Sequence, residues 1–568
     1  MKLKKIEVHN FRSIKDIAIE VNPYSLIVGE NNSGKTNLLS ALRVFYEESG
    51  LKFDTKRDFP KFSTDDQESW IELSFLTTPE EQDSLKEEYR SADRVLKVRK
   101  YLQSEHGLVQ SKQSNIYAYE NGQLSNNLFY GAANVSTSKL GSVIYIPAVS
   151  KVEDSMKTTG PSPFRNMVNV VMKKAIASSE SFKTLTTAFN EFNKVFKQEE
   201  ISGFSIDGVK SEINSELKQW GVGFDIEVSP INTDDLVKSL LKPHIEDSNL
   251  GERVDISSFG QGLQRHLIYT LIKLSAKYSA KTKSTKKDFN PDFSLILFEE
   301  PEAFLHPAQQ DVLYRSLNKL VSDEQQQVLV STHSSVFVSK SIDSINSISR
   351  LFKETDSTTA YQITERSLKE ILSNNLVAAR VHGEDKSPEF DEEVRAADEA
   401  IKYFLWLDTE RSNLFFARHV LLCEGPSEKV LLDCLADSDW EFLREHRVYI
   451  LDCVGKFNLH RFMHLLNVIG IKHSVLFDGD NDAVNKFINH KVWNGIIQGA
   501  KTPCTTGLHQ FESDLEGFLQ IPKPDKKRSD LKPINVLKAH HENALDAGRL
   551  SMLKEIVQDL VSSETDHT

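Results

Sequence analysis

Along the first 80 residues, apolar positions come in short runs separated by polar turns. Leu3 to His9 and Ile14 to Val21 alternate as strands do, and Ser25 to Val28 forms a short apolar run of the fully buried kind. That run enters a glycine-containing loop, and an apolar helix is expected from about Lys35 to Tyr46. Trp70 to Phe75 and Gly141 to Ile146 predict two further strands. From about Pro163 to Leu240 the period changes to helical, most clearly in Asn166 to Lys174 and Ser181 to Phe196. We read this stretch as a helical insert within the first domain. Lys281 to Asp292 is a polar, basic loop, and Ser294 to Phe298 and Gln327 to Ser331 are continuous apolar runs that predict buried parallel strands. Thr355 to about Asp408 is expected to be a polar, helix-rich connector. A second α/β pattern opens at Arg418, with strands near Val420 to Cys423, Val448 to Leu451 and Ser474 to Phe477. No internal repeat occurs, and the last residues are expected to fray.

Composition narrows the class. The 568 residues are 39% hydrophobic and 27% charged, which describes a soluble globular chain with several cores. No apolar run is long enough to span a bilayer, and Met1 to Glu7 lacks the apolar core of a secretory signal. Cys423, Cys434, Cys453 and Cys504 form no CxxC pair, so neither a zinc site nor a disulfide framework is signalled. A cytoplasmic protein without membrane attachment is expected. The net charge of −13 argues against nonspecific coating of nucleic acid, but a local basic patch is compatible with it.

Gly29-Glu-Asn31-Asn32-Ser33-Gly34-Lys35-Thr36 fits the phosphate-binding loop G-x-x-x-x-G-K-[ST], between a short strand and a helix. The glycines free backbone N–H groups to wrap phosphates, Lys35 reaches the β and γ phosphates, Thr36 takes Mg²⁺, and Asn37 follows in the helix. Leu295 to Glu302 is an apolar strand ending in acids. Glu299 is placed to hold the Mg²⁺ shell, and Glu300 to orient or deprotonate the attacking water. His333 follows the next buried strand and can reach a γ-phosphate; taken alone it is an ordinary loop histidine. Ser258-Phe-Gly260-Gln-Gly262 opens a helix and suits a phosphate cap, or equally a plain N-cap with flexible glycines. The order of these four elements resembles the ABC-type heads of SMC and RecF-like proteins. That likeness implies a role at the nucleotide for Arg12, within Asn10-Phe11-Arg12-Ser13. It also implies at least a dimer, because one copy's signature turn completes another's site. Unlike SMC proteins, the chain has no long coiled coil.

A second constellation begins with Val420-Leu-Leu-Cys-Glu424-Gly425-Pro-Ser-Glu428. Its strand ends in a glutamate, and a second glutamate sits one turn into the following helix. Val475-Leu-Phe-Asp478-Gly479-Asp480-Asn-Asp482 repeats the theme. Clustered carboxylates repel unless a cation lies among them, and oxygen ligands suit Mg²⁺ or Mn²⁺. After Val454, Gly455 and Lys456 either allow a close phosphate or make a plain turn. Glu512, Asp514 and Glu516 lie before the basic stretch Lys523 to Arg528 and Lys532. Taken alone, the acids read as an amphipathic helix and the lysines as a solvated loop.

The glutamate–glycine turn followed by D-x-D resembles a TOPRIM domain, a Rossmann-like metal-binding fold. An ABC head with a helical insert, followed by TOPRIM and an acidic–lysine tail, resembles the OLD (overcoming lysogenization defect) family, which includes the nuclease subunit of Gabija defence systems. The resemblance implies an α/β chain divided as follows: the ABC ATPase in 1–162 and 246–354, an insert and dimerisation candidate in 163–245, a connector in 355–417, and TOPRIM with an extension in 418–568. It implies a two-metal DNA endonuclease coupled to ATP, with Mg²⁺·ATP at the head and two Mg²⁺ or Mn²⁺ at the TOPRIM site, acting in anti-phage defence. The candidate nuclease residues are then Glu424, Glu428, Asp478, Asp480, Glu512, Asp514 and Lys532, with Asp482 and Glu516 behind them. Double-stranded DNA, further copies of the chain, and a helicase-like or reverse-transcriptase partner are the implied partners. An ATP-driven clamp with an inactive TOPRIM domain and an RNA-cutting (tRNA) nuclease are the rival readings. A topoisomerase is disfavoured because the chain after residue 420 has little room for a tyrosine-bearing cleavage domain.

Overall fold

A computed structural model describes residues 1–132, 139–148, 205–225, 244–247, 251–279, 293–321, 326–382, 405–480 and 490–562, with scattered positions between them. The chain forms two compact units, Met1–Ala148 with Lys287–Thr568, and Val149–Lys286. The expected helix at 166–174 and half of 181–196 lie outside the described residues, as does Asp482.

The larger unit starts with a hairpin of β1 (Lys2–Phe11) and β2 (Ile14–Glu20), then β3 (Tyr24–Val28), which runs through the glycine loop into α1 (Lys35–Tyr46). β4 (Ser69–Leu76), β5 (Val95–Gln103), β6 (Ile116–Glu120) and β7 (Gln123–Leu128) extend the hairpin antiparallel, and β8 (Ser142–Ile146) follows. The second unit contributes the pair β9 (Ile245–Asp247) and β10 (Glu252–Val254), and a helix at Gln261–Ser279. Back in the larger unit come β11 (Ser294–Glu299), β12 (Gln326–Thr332), and the hairpin β13 (Ile348–Glu354) and β14 (Ser357–Gln362). One twelve-stranded sheet results, in the order β7-β6-β5-β4-β1-β2-β14-β13-β3-β12-β11-β8. Its β13-β3-β12-β11-β8 half is parallel. Every residue of β3 and β12 is buried, which is why both read as unbroken apolar runs. α1 lays Leu38, Leu39, Leu42 and Phe45 on the sheet, each side chain contributing about 1.5–3 kcal/mol by leaving water. β14 falls in the stretch expected to be a connector. It belongs to the sheet instead, because its backbone pairs with β13 and touches β2 at Thr358 and Ile14.

The C-terminal part carries a separate parallel sheet of β15 (His419–Cys423), β16 (Val448–Asp452), β17 (Lys472–Phe477) and β18 (Thr505–Gln510), ordered β16-β15-β17-β18. It has its own core, in which Leu421, Leu432, Trp440 and Phe511 pack with Leu553 and Val557 of the helix Ala547–Ser562. The fold is thus mixed α/β, an ATPase-type sheet followed by a smaller Rossmann-like sheet. Among the described residues no helix is long and apolar enough to cross a membrane.

Candidate nucleotide site and carboxylate crevice

The glycine loop leaves β3 with Gly29 at φ +145° and Gly34 at φ +101°. A Cβ on Gly29 would strike the Leu351 carbonyl, and one on Gly34 would strike the Thr358 hydroxyl, so both positions require glycine. Asn31 and Asn32 are exposed at the tip. Lys35 is buried, and its Nζ donates to the Gly29 and Glu30 carbonyls at 2.9 and 2.7 Å. Burial lowers its pKa to about 8, against the opposing pull of Glu300, Glu302, Glu299 and Glu30. Ser33 Oγ is buried with no hydrogen-bond partner among the described residues. A loop that curls a lysine onto its own carbonyls and leaves a buried hydroxyl unsatisfied fits a phosphate chain.

Strand ends complete this site. Glu299 closes β11, and its carboxylate accepts hydrogen bonds from the Thr36 hydroxyl and from Tyr145 of β8. Thr36 and Glu299 are therefore adjacent, as residues that would share a Mg²⁺ must be. Arg43 of α1 stacks on the Tyr145 ring, 3.7 Å from its centroid. Burial, then hydrogen bonding to Glu299, raises the Tyr145 pKa far above its usual value. Glu300 adopts φ +42° and stands 3.3 Å from His333 Nε2. Glu302 accepts the His333 backbone N–H at 2.6 Å, fixing that turn. Burial, then the nearby Lys35 charge, lowers the His333 pKa. Arg12 donates to buried Asp58 at 2.9 Å, to Ser40 at 3.1 Å and to Asn37 at 3.4 Å, which puts its guanidinium beside the start of α1. P-loop, acidic strand end, histidine and Arg12 thus share one end of the sheet. In the other unit, Ser258 hydrogen-bonds the Asp255 carbonyl, and Gly260 and Gly262 lie at the start of the helix Gln261–Ser279.

At the C-terminal sheet, Glu424 follows β15 and Asp478 follows β17, the strand beside it. The Asp478 N–H donates to Glu424 Oε2 at 3.2 Å. Gly425 caps the helix Pro426–Ser438, and Glu428 reaches back to the Gly425 N–H at 3.1 Å. Glu428 is thereby held one turn in, facing Glu424. Asp478 accepts from the Leu515 N–H at 3.0 Å, and Gly479 leaves no room for a Cβ against the Phe511 carbonyl. Buried Glu516 lies 3.3 Å from Ser427 Oγ and 3.4 Å from Lys532 Nζ.

Electrostatics marks the crevice. Burial raises the Glu424 pKa to about 7, with Lys456 pulling it down and Asp480 pushing it up. Burial, then Glu424 and Glu516, raises Glu428 to about 8. Asp478 is also raised well above the usual carboxylate range, by burial and then by the charges of Glu428, Glu424, Glu516 and Asp480. Lys532 is lowered by its own burial, but Glu516, Asp478 and Asp514 outweigh this and raise it. Acids that resist ionisation together in one crevice form a donor set suited to a divalent cation. Among the described residues no three acidic, histidine or cysteine groups stand close enough together to hold a metal ion. Several of the carboxylate oxygens are spent instead on backbone N–H groups of the strand-end turns.

Glu424, Glu428, Asp478 and Lys532 come together as expected. The third acidic cluster is distributed differently. Asp514 is the N-cap of Leu515–Phe518 and pairs with Lys523 at 2.7 Å, while the Glu512 side chain is exposed. Glu516, ranked behind both, is the acid that enters the crevice, because a one-turn helix rotates it inward. Lys456 was legible only as a turn residue. It is 3% exposed, and its Nζ donates to the Asp478 carbonyl at 2.6 Å and to Asp480 at 3.1 Å. Tyr145 gave no signal, since only the register of β8 on β11 brings it to Glu299.

Comparison with known proteins agrees with this geometry. Residues 415–480 match the family described as overcoming lysogenization defect protein-like, TOPRIM domain. Residues 1–202 and 75–338 match the AAA ATPase domain family, together more than half of the chain. The chain is 24% identical over 497 residues to the Old nuclease of Escherichia phage P2, covering 84% of this chain and 77% of that protein. It is 23% identical to the OLD nuclease of Thermus scotoductus, covering 84% and 82%. It is also 23% identical to the endonuclease GajA of Bacillus cereus, covering 84% and 75%. The chain thus belongs to the AAA ATPase domain family, carries an overcoming lysogenization defect-like TOPRIM domain, and is similar over most of its length to nucleases of the overcoming lysogenization defect type.

Proposed function

We propose that the protein is an ATP-hydrolysing, divalent-metal-dependent DNA endonuclease that acts in anti-phage defence. One observation carries this reading: half-buried Glu424 and buried Asp478 at the ends of neighbouring parallel strands meet buried Glu428 and Glu516 from the helices that follow, with Lys532 beside them. In this reading Glu424, Glu428, Asp478, Asp480 and Glu516 hold two Mg²⁺ or Mn²⁺, with Glu512 and Asp514 at the edge of the set. Divalent cations there supply water activation and charge neutralisation at a scissile phosphate. Lys532 stabilises charge on that phosphate, and Lys456 keeps the Asp478–Asp480 turn in place.

At the head, Lys35 and the loop N–H groups bind ATP, Thr36 and Glu299 hold Mg²⁺, Glu300 orients water, and His333 and Arg12 contact the nucleotide. Ser258, Gly260 and Gly262 of one copy complete the site of another, so the working form is a homodimer or larger. The division into ATPase, insert, connector and TOPRIM segments given above is part of the same reading. DNA as the substrate is supported by the named nucleases that align with most of the chain.

The test is cleavage of supercoiled plasmid in Mg²⁺ or Mn²⁺, with and without ATP. Strand breaks made by the wild-type protein and absent with Glu424→Ala are the expected result. Intact ATPase activity without breaks under any condition would favour a clamp, an RNA target or a missing partner instead.

A further inference from the structure

Three strands of the TOPRIM sheet begin near the P-loop, and their far ends lead into the carboxylate crevice. Arg418 immediately precedes β15, and its Nε donates to Glu30 Oε2 at 2.8 Å. Arg447 immediately precedes β16, and its Nη1 lies 3.4 Å from Glu30 Oε1. Arg350 serves β17. It sits on β13 opposite Val28, the last residue of the P-loop strand, and it is 2% exposed. Its guanidinium donates to the Ile469 and Gly470 carbonyls ahead of β17, at 3.2 and 3.1 Å, and to those of Phe415 and Ala417 ahead of β15, at 3.3 and 2.9 Å. Gly470 allows this close seating, since a Cβ there would meet the Tyr361 ring of β14. The far ends of the same strands lead to Glu424, to Gly455 and Lys456, and to Asp478.

Glu30 is the second residue of the P-loop, and it is held at both ends. Its carboxylate takes the two arginines, while its carbonyl takes Lys35 Nζ at 2.7 Å. Phosphates that draw Lys35 away from that carbonyl alter the hold on Glu30. A five-residue strand spans about 17 Å, and a fully buried one such as β15, or a partly buried one such as β16, packed in the sheet transmits a shift at one end to the other. The attachments differ in strength. Buried Arg350 is a fixed mount, whereas the Glu30 pairs involve arginines at least half exposed and are weak enough to rearrange.

We propose that Glu30, Arg418 and Arg447 form the positioning link through which P-loop occupancy sets the placement of Glu424 and of the turn held by Lys456. The link rests on the nuclease reading above. It is tested on the full-length protein with Arg418→Gln/Arg447→Gln, half-exposed positions whose change leaves the fold intact. Plasmid cleavage is measured in Mn²⁺ without nucleotide, with ATP and with a non-hydrolysable ATP analogue, alongside ATP turnover. Backbone hydrogen exchange at 424–428 and 478–480 is followed with and without the analogue.

The expected result is nucleotide-free cleavage and ATP turnover within about two-fold of wild type. The ratio of cleavage with nucleotide to cleavage without it moves toward one by roughly five-fold or more. The analogue's effect on exchange at both segments disappears as well. An unchanged ratio in the double variant overturns the link and leaves the nuclease reading intact. So does a wild-type ratio of one. Loss of nucleotide-free cleavage in the double variant would make the arginines merely structural and also overturns it. Absence of wild-type cleavage removes the nuclease reading and the link with it.

Discussion

The nucleotide site and the carboxylate crevice are both built at the ends of parallel strands, yet they are electrostatic opposites. At the P-loop one buried lysine rests on two backbone carbonyls, and its pKa falls to about 8 because it lacks solvent. In the crevice acids outnumber the one buried lysine, Lys456, and Glu424 and Glu428 rise to about 7 and 8. Each site resists its own charge and is therefore primed for the opposite one: phosphate in the first, a divalent cation in the second. The same architecture thus yields two chemistries through what caps the strands. A glycine loop aims N–H groups outward, whereas glutamate and aspartate turns aim carboxylates inward.

The sharpest way to break this contrast is to remove charge from one side at a time. Glu516→Gln is expected to lower metal-dependent plasmid cleavage by roughly 100-fold, while Glu512→Gln costs less than about ten-fold. Equal losses would return the exposed acid to the site. Lys35→Ala is expected to remove nucleotide binding, measured with a fluorescent ATP analogue, and to take ATP turnover to background. Full turnover in that variant would end the P-loop assignment.

The acids also make a prediction about pH. Folded Glu424 and Glu428 keep protons that the unfolded chain releases near 4.5, so metal-free stability falls as pH rises from about 4.5 to about 8. Thermal midpoints in chelator should drop between pH 6 and pH 8, and Mn²⁺ should raise the midpoint more at pH 8 than at pH 6. A flat profile would mean that the crevice is not under charge strain. The smallest effect is expected from Tyr145→Phe. It removes one hydrogen bond to Glu299, worth about 1 kcal/mol, and should slow ATP turnover by roughly five-fold without touching nucleotide-free cleavage.

Much of this was legible in the chain. The P-loop, the acidic end of β11 and the glutamate–glycine turn after β15 are local signals, because strand, turn and functional residue lie within a dozen positions. β5 to β7 escaped notice. Their inward positions alternate with Lys97 and Arg99, which look like surface charges until the sheet brings buried Glu72 within 2.6 and 2.8 Å. Lys456 and Glu516 were underrated for a related reason. A lysine after a glycine and an acid in a polar stretch look solvated, and only packing shows both to be buried.

The sequence by itself determined the two chemistries and their order, since each is carried by residues a few positions apart whose backbone geometry is set locally by glycines and strand ends. The tertiary structure alone decided which acid of the third cluster enters the crevice and which tyrosine buttresses Glu299. It also decided that the TOPRIM strands start on Arg350 and Glu30. Those are meetings between residues 89 to 388 positions apart. They depend on strand register and on the packing of one sheet against another, which no local periodicity encodes.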